Sequence, residues 1–288
     1  MLVLKSWVWR LRYRARPEEP CFSMAAPSVA IRRSRADHRT QIMKLSDHFE
    51  ASGNWFFRWR SYLPLLLIGC FLASLRELKY AGDNRMLNSF WEIVSALVGF
   101  LGVGIRAYAV GCAPHRTSGR NTRKQIADSL NTTGLYSIMR HPLYVGNTLM
   151  WFSVALFAEF WSLAIIILLV SALYHERIIF AEEAFLERKF GESFRDWAVR
   201  TPAVWPKFSL WRSPSLPFEW RHALQREYLG LFALITILFA EDIASYWFRL
   251  HQFEFDPLWF RSWLIGLVMF TVVRFLRKQT RLLFVLGR

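Results

Sequence analysis

Apolar and polar positions fall into blocks along this chain rather than alternating. Long runs of Leu, Ile, Val, Phe and Trp are separated by segments crowded with Arg and Lys. A helix needs roughly 20 mostly apolar residues to cross a bilayer, at about 1.5 Å per residue. Blocks 61–75, 90–112, 143–159, 161–179, 228–248 and 258–275 come near that length. The first is short, but Trp55, Phe56, Phe57 and Trp59 precede it and suit a membrane interface. The third and fourth are nearly fused, so the stretch AEFW between them allows only a tight hairpin turn. The pattern predicts an all-α, polytopic membrane protein of about six transmembrane helices.

The intervening charges orient that set. Residues 115–141, the Arg58/Arg60 flank, the segment after the fourth block and the tail from Arg274 onward are rich in Arg and Lys, whereas the turn between the third and fourth has none. By the positive-inside rule both termini and both long polar segments face the cytoplasm. The expected location is therefore an integral membrane protein, of a bacterial inner membrane, with its site on the cytoplasmic side.

After the fourth block the period changes. Phe180, Phe185, Leu186, Phe190, Phe194 and Trp197 make an interrupted apolar stripe on a charged helical stretch. Gly191 suits a break or cap there, and Pro202 and Pro206 end the element. Such a segment lies along the membrane surface or folds back over the loop before residue 143.

Four divisions follow. Residues 1–42 read as a basic tail, either disordered or an extension from an upstream start, since Met43 is a natural beginning. Residues 43–89 hold an interfacial segment and the first helix, 90–206 the core, and 207–288 a membrane hairpin with a basic tail.

Composition narrows the class. The net charge of +15 on a chain that is 53% hydrophobic indicates cationic loops between membrane helices, not nucleic-acid binding. Cys21, Cys70 and Cys112 form no close-spaced set, so neither a metal site nor a disulfide framework is expected. No HExxH and no Ser/His/Asp arrangement supports a hydrolase.

Candidate chemistry lies in two places. In GLYSIMRHPLYVG, Gly134 to Gly146, Pro142 suits the first position of a helix and His141 its N-cap. A helix start gathers free N–H groups and partial positive charge, a seat for a carboxylate or phosphate. An interfacial anchor of Arg140, Tyr136 and Tyr144 accounts for the same residues equally well. The second place is Glu182-Glu183, which diverge by about 100° on a helix and so need not share a task; surface acids are the plainer account. Arg177 on the same helix is either a clamp for an anionic lipid group or a boundary anchor. Arg106, Glu241 and Asp242 fall inside apolar blocks, where charges usually pair, so Arg106 with Glu241 or Asp242 is the candidate pair.

TTGLYSIMRHPLYVGN followed by EEAFLERKFGESFRDWAVRTPAVWP resembles the membrane methyltransferases of the isoprenylcysteine carboxyl methyltransferase and phospholipid methyltransferase superfamily. Gly134, Tyr136, Arg140, His141, Pro142, Tyr144 and Gly146 match the first half of the family pattern. Glu182, Glu183, Leu186, Phe190, Gly191, Phe194, Val199 and Pro202 match the second. The match spans roughly residues 90–206. The resemblance implies S-adenosylmethionine (SAM) as methyl donor at the cytoplasmic face. It implies a cofactor pocket lined by Tyr136, His141, Pro142, Leu143, Tyr144 and Glu182, with Ser129, Leu130 and Asn131 alongside. Where the eukaryotic carboxyl methyltransferases carry an arginine four residues before the first Glu, this chain has Ile178, and the nearest arginine is Arg177.

The expected reaction is methyl transfer to an anionic phosphate or carboxylate of a membrane lipid or lipidated substrate. Arg177 would hold the anion. An amine acceptor would need a base, Glu183 or His175. Carboxyl methylation of isoprenylcysteine and N-methylation of phosphatidylethanolamine are the alternatives within the superfamily. Outside it, an inactive scaffold or a transporter remains.

Overall fold

The computed structural model describes residues 45–60, 62, 85–114, 117 and 125–285. The basic tail 1–42 and, but for Tyr62, the first expected span 61–75 lie outside the described residues. The described residues contain helices and loops and no strand.

Helix α1 runs Leu45–Trp59 and α2 Arg85–Gly111. The one-turn α3 (Leu135–Ile138) leads into α4 (Pro142–Phe157), then α5 (Trp161–Phe190) and α6 (Glu192–Arg200). A short 3₁₀ turn, Phe208–Leu210, precedes α7 (Trp220–Leu250) and α8 (Pro257–Gln279). Four described helices are long and apolar enough to cross a membrane: Asn88–Gly111, Trp161–Phe190, Trp220–Phe248 and Pro257–Gln279. Apolar α4 has only 16 residues, about 24 Å at 1.5 Å per residue, short of the hydrocarbon thickness of about 30 Å. The expected third span is thus a shorter element than its neighbours. Exposed Ile165, Ile166, Leu169 and Leu173 on α5, and Leu264, Ile265, Val268 and Val272 on α8, form faces suited to lipid tails.

The turn between α4 and α5 is as tight as AEFW requires. Glu159 takes a positive φ of 56° there, and its N–H bonds to the Leu156 carbonyl at 3.0 Å. Helix α5 has 30 residues, about 45 Å at 1.5 Å each, so it outruns the hydrocarbon. It ends at Gly191, whose φ of +54° favours a residue without a side chain. There the chain reverses into α6, and buried Phe194 and Trp197 turn inward. Of the two courses expected for this segment, α6 takes the second: Trp197 Nε1 donates to the Tyr136 carbonyl at 3.1 Å.

Helices α2, α4 and α7 share one core: Ala96 and Val103, Val154 and Phe157, Leu234 and Leu238, closed by Trp259 of α8. Glycine lets α2 and α4 approach to backbone contact. A Cβ on Gly102 would lie 2.6 Å from the Gly146 carbonyl oxygen, and one on Gly146 would lie 2.7 Å from that of Gly102. Small residues serve membrane helices this way because dispersion and hydrogen bonding, not the hydrophobic effect, hold helices together in lipid.

Helix α1 packs on α5 with similar closeness. A Cβ on Gly53 would run into the Arg177 carbonyl and come 2.8 Å from Ala181 Cβ. Gly53→Val is therefore expected to lift α1 off α5 at a cost of about 1–3 kcal/mol. The measurement is the thermal midpoint in detergent together with the rate at which added protease cuts α1; both unchanged would refute the contact.

The pairing expected for Arg106 is different in the structure. Arg106 Nε and Nη2 each donate to Glu227 at 2.8 Å, and Nη1 reaches Asn147 Oδ1 at 2.5 Å. Glu241 and Asp242 lie about four turns further along α7 than Glu227, too far to serve. Asp242 instead accepts from the Asp256 N–H at 2.8 Å, and the buried Glu241 carboxylate has no hydrogen-bond partner among the described residues. The apolar block begins at residue 228, one residue past the true partner.

Candidate functional site

Gly134 begins the site loop at φ +60°, a conformation open chiefly to glycine. One turn of helix follows, Met139 is extended, and α4 starts with His141 as N-cap and Pro142 in its first turn. The Tyr144 and Val145 N–H groups both turn back to the His141 carbonyl, at 3.2 and 3.3 Å. This helix start thus offers a ligand fewer free amides than the sequence suggested.

A strap from the far side of the motif holds this loop. The N–H groups of Arg140 and His141 donate to the carbonyls of Pro202 and Ala203, at 2.9 and 3.0 Å. Lys207 N–H donates to the Ile138 carbonyl and Gly134 N–H to that of Arg212, both at 3.0 Å. Ser137 Oγ donates to the Gly134 carbonyl at 2.7 Å and accepts from Arg212 N–H at 3.0 Å. Proline at 202 and 206 keeps the strap extended, which a ladder of this kind needs.

The two adjacent glutamates divide their work, as their angular separation allows. Glu183 faces the motif's basic pair: His141 Nε2 lies 2.8 Å from its Oε1, and Arg140 Nε is as close but not aligned for a hydrogen bond. Arg140 Nη1 donates to the carbonyls of Ala198 and Thr201, at 2.6 and 3.1 Å, closing the end of α6. Glu182 accepts from Tyr144 Oη at 2.9 Å, and its carboxylate lies 3.8 Å from His141 Nδ1. The Tyr144 ring stacks between His141 and His175, with centroids 5.7 and 5.0 Å away. Thr148 Oγ1, 3.2 Å from His175 Nδ1, fixes the second imidazole.

These groups border a cavity of about 1180 Å³. Ser129, Leu130, Asn131, Tyr136, His141, Pro142, Leu143, Tyr144 and Glu182 all line it, and so does Arg177, whose guanidinium lies over the Phe49 ring at 3.5 Å. Glu183 is not in the lining; it stands behind Arg140 and His141. Burial holds the Tyr136 phenol well above its usual titration range, Glu182 pushes it the same way and Arg106 opposes. Tyr136 is therefore a protonated donor at neutral pH. Among the described residues, Gln125 Nε2 and Tyr174 Oη are buried in the lining without a hydrogen-bond partner. Buried polar atoms are ordinarily paired, so both suit a polar ligand.

Several lining residues escaped the sequence reading. Asn147 directly follows the motif glycine and is polar inside an apolar run, a readable signal. Phe49, Ser52 and Phe56 come from α1, and Arg226 and Glu227 from α7; both helices lie outside the motif halves. Nothing local in the sequence links them to the site.

The phospholipid methyltransferase family model matches residues 119–193. The chain is similar to the nickel-cobalt-cadmium resistance protein NccN of Alcaligenes xylosoxydans xylosoxydans, 40% identical over 158 residues, which are 54% of this chain and 67% of that protein. It is also similar to the cobalt-zinc-cadmium resistance protein CzcN of Cupriavidus metallidurans, 31% identical over 166 residues, 57% of this chain and 72% of that one. No solved structure matches. The matched segment contains the site loop, the hairpin α4–α5 and both glutamates, and the chain belongs to the phospholipid methyltransferase family, within the superfamily of the isoprenylcysteine carboxyl methyltransferases.

Proposed function

We propose that this protein is an integral membrane methyltransferase that moves a methyl group from S-adenosylmethionine to an anionic group, phosphate or carboxylate, of a membrane lipid or lipidated substrate. The observation that carries the reading is the convergence of nine residues, drawn from a loop, a helix start and a distant helix, on one cavity.

The residues present fit the donor's chemistry. Bound there, S-adenosylmethionine supplies an electrophilic methyl on a sulfonium. The Glu182 carboxylate, oriented by Tyr144, suits an ammonium or ribose hydroxyls. Gln125 Nε2 and Tyr174 Oη, unpaired among the described residues, suit acceptor atoms. Glu183 acts through Arg140 and His141, holding the imidazole at the cavity wall, so it is a positioning residue and not the base considered for an amine acceptor. The cavity walls would hold donor and acceptor in line and away from water. Opposite charges on acceptor and donor cancel during transfer, so an anionic acceptor reacts without a general base. Arg177 would hold such an acceptor. The site opens to the cytoplasm, by the distribution of basic loops.

Methylating a phosphate or carboxylate removes one negative charge and one hard ligand for divalent cations. That is a chemical route from lipid methylation to metal resistance, the role named for NccN and CzcN.

The test is calorimetry of S-adenosylmethionine binding to the detergent-solubilised protein and to His141→Ala. Binding by the native chain with a loss of at least about tenfold in the variant is expected, a charge-assisted contact being worth about 1.5–3 kcal/mol. A folded native chain that binds none in the presence of lipid sinks the enzyme reading and leaves a scaffold.

A further inference from the structure

Glu227 is almost fully buried, and both its oxygens are taken by Arg106. Its neighbour Arg226 also lines the cavity and is half-buried. Among the described residues Arg226 has no hydrogen-bond or ion-pair partner; Arg277 of α8 repels its charge, and Glu227, both of whose oxygens are held by Arg106, attracts it more weakly. A guanidinium partly removed from water, whose nearby carboxylate is already engaged by Arg106, gains from an anion bound in the cavity.

The rest of the wall tells which anion. Leu229, one turn along the same face of α7, lines the cavity and is exposed, as are Val170 and Leu173 of α5. Arg226 thus brings a charge to a cavity whose lining also carries these exposed apolar side chains. An amphiphile with an anionic head and an apolar tail matches that combination. A planar, always-charged fork suits phosphate oxygens taken two at a time.

We infer that Arg226, on the helix pair outside the family-matched segment, binds the phosphate of a lipid headgroup at the acceptor end of the cavity. Calling that lipid the methyl acceptor rests on the methyltransferase reading; the anion site stands on charge and geometry alone. It also gives α7 and α8 a task in selecting the substrate.

The experiment measures binding of dioctanoyl phosphatidic acid, dioctanoylglycerol and inorganic phosphate to the full chain in detergent. The same samples are titrated with S-adenosylmethionine, and Arg226→Gln, Arg226→Lys and Arg274→Gln are compared with the native chain. Arg274 lies over the Phe270 ring on exposed α8 and controls for general loss of positive charge. Phosphatidic acid binding should fall about tenfold in Arg226→Gln, fall less in Arg226→Lys, and hold in Arg274→Gln, with donor affinity constant throughout. Equal binding by Arg226→Gln and the native chain overturns the inference, as does dioctanoylglycerol binding as tightly as phosphatidic acid. Inorganic phosphate binding as tightly as the lipid overturns the headgroup assignment. Retained, Arg226-dependent phosphatidic acid binding by a chain that binds no S-adenosylmethionine supports the anion site and removes the methyltransferase reading separately. Should Arg226→Gln fail to fold, the Lys variant with its intact charge decides the matter.

Discussion

Glu227→Ala is expected to lower the thermal midpoint of the solubilised protein by roughly 10 °C. The Arg106–Glu227 pair is two-pronged, with side chains only 17% and 6% exposed, and it ties α2 to α7 at the cavity wall. Removing one partner of a buried pair leaves the other charge uncompensated, which costs about 3–5 kcal/mol. Asn147 remains, but an amide oxygen offsets only part of a guanidinium charge. The pair Glu50–Arg188 provides the contrast: its geometry is just as good, yet Arg188 is 59% exposed, so Glu50→Ala should cost less than about 1 kcal/mol. Arg106→Met combined with Glu227→Met should recover much of the loss, because an apolar pair needs no compensation. Equal midpoints for Glu227→Ala and Glu50→Ala would mean that the buried pair is not formed in the membrane protein.

Gly146→Val should be as damaging, for a steric reason. A Cβ there would come 2.5 Å from Arg106 Cγ and 2.7 Å from the Gly102 carbonyl oxygen. The side chain of Arg106 is pinned by Glu227 and Asn147, and the carbonyl is backbone, so neither can give way cheaply. Overpacking costs about 1–3 kcal/mol, and more where backbone must move. Separating α2 from α4 also shifts the start of α4, so S-adenosylmethionine binding should fall together with stability. Gly104 is the control, since a Cβ there meets nothing within 4 Å. Gly104→Ala should be nearly silent in both assays, and a Gly146→Val protein that behaves like it would show that the two helices do not touch.

These two positions also illustrate what could be read without coordinates. The motif glycine was visible at 146, but its reason was not, because the backbone it meets lies on another helix. Arg106 was legible as a charge needing a partner, since its block is otherwise apolar. Its partner was not, because the edge of an apolar run is a poor guide to where a helix begins: α7 starts at Trp220, and its polar first turns carry Glu227. The helix start at Pro142 and the break at Gly191 were legible, because proline and glycine act through their own backbone. The convergence of Ser129–Asn131 with Glu182 rested on the resemblance alone, since periodicity says nothing of loops that meet helices. The role of α1 as a cavity wall was illegible for a similar reason: an amphipathic stretch with interfacial tryptophans looks the same whether its inner face meets lipid or a ligand.

The ladder between the site loop and the strap has a consequence for how the protein is made. A chain leaves the ribosome from its N-terminus, so Gly134 and Ser137 appear long before Arg212, and Ser137 waits 75 residues for its bond. Arg106 waits longer, since Glu227 follows it by 121 residues. During that interval the motif that marks the family is inserted and recognisable, yet its amides are still bonded to water. Arg226, Glu227 and Leu229, which complete the cavity wall, arrive only with α7. On the methyltransferase reading, binding of the donor waits for α7, which is made well after the family motif.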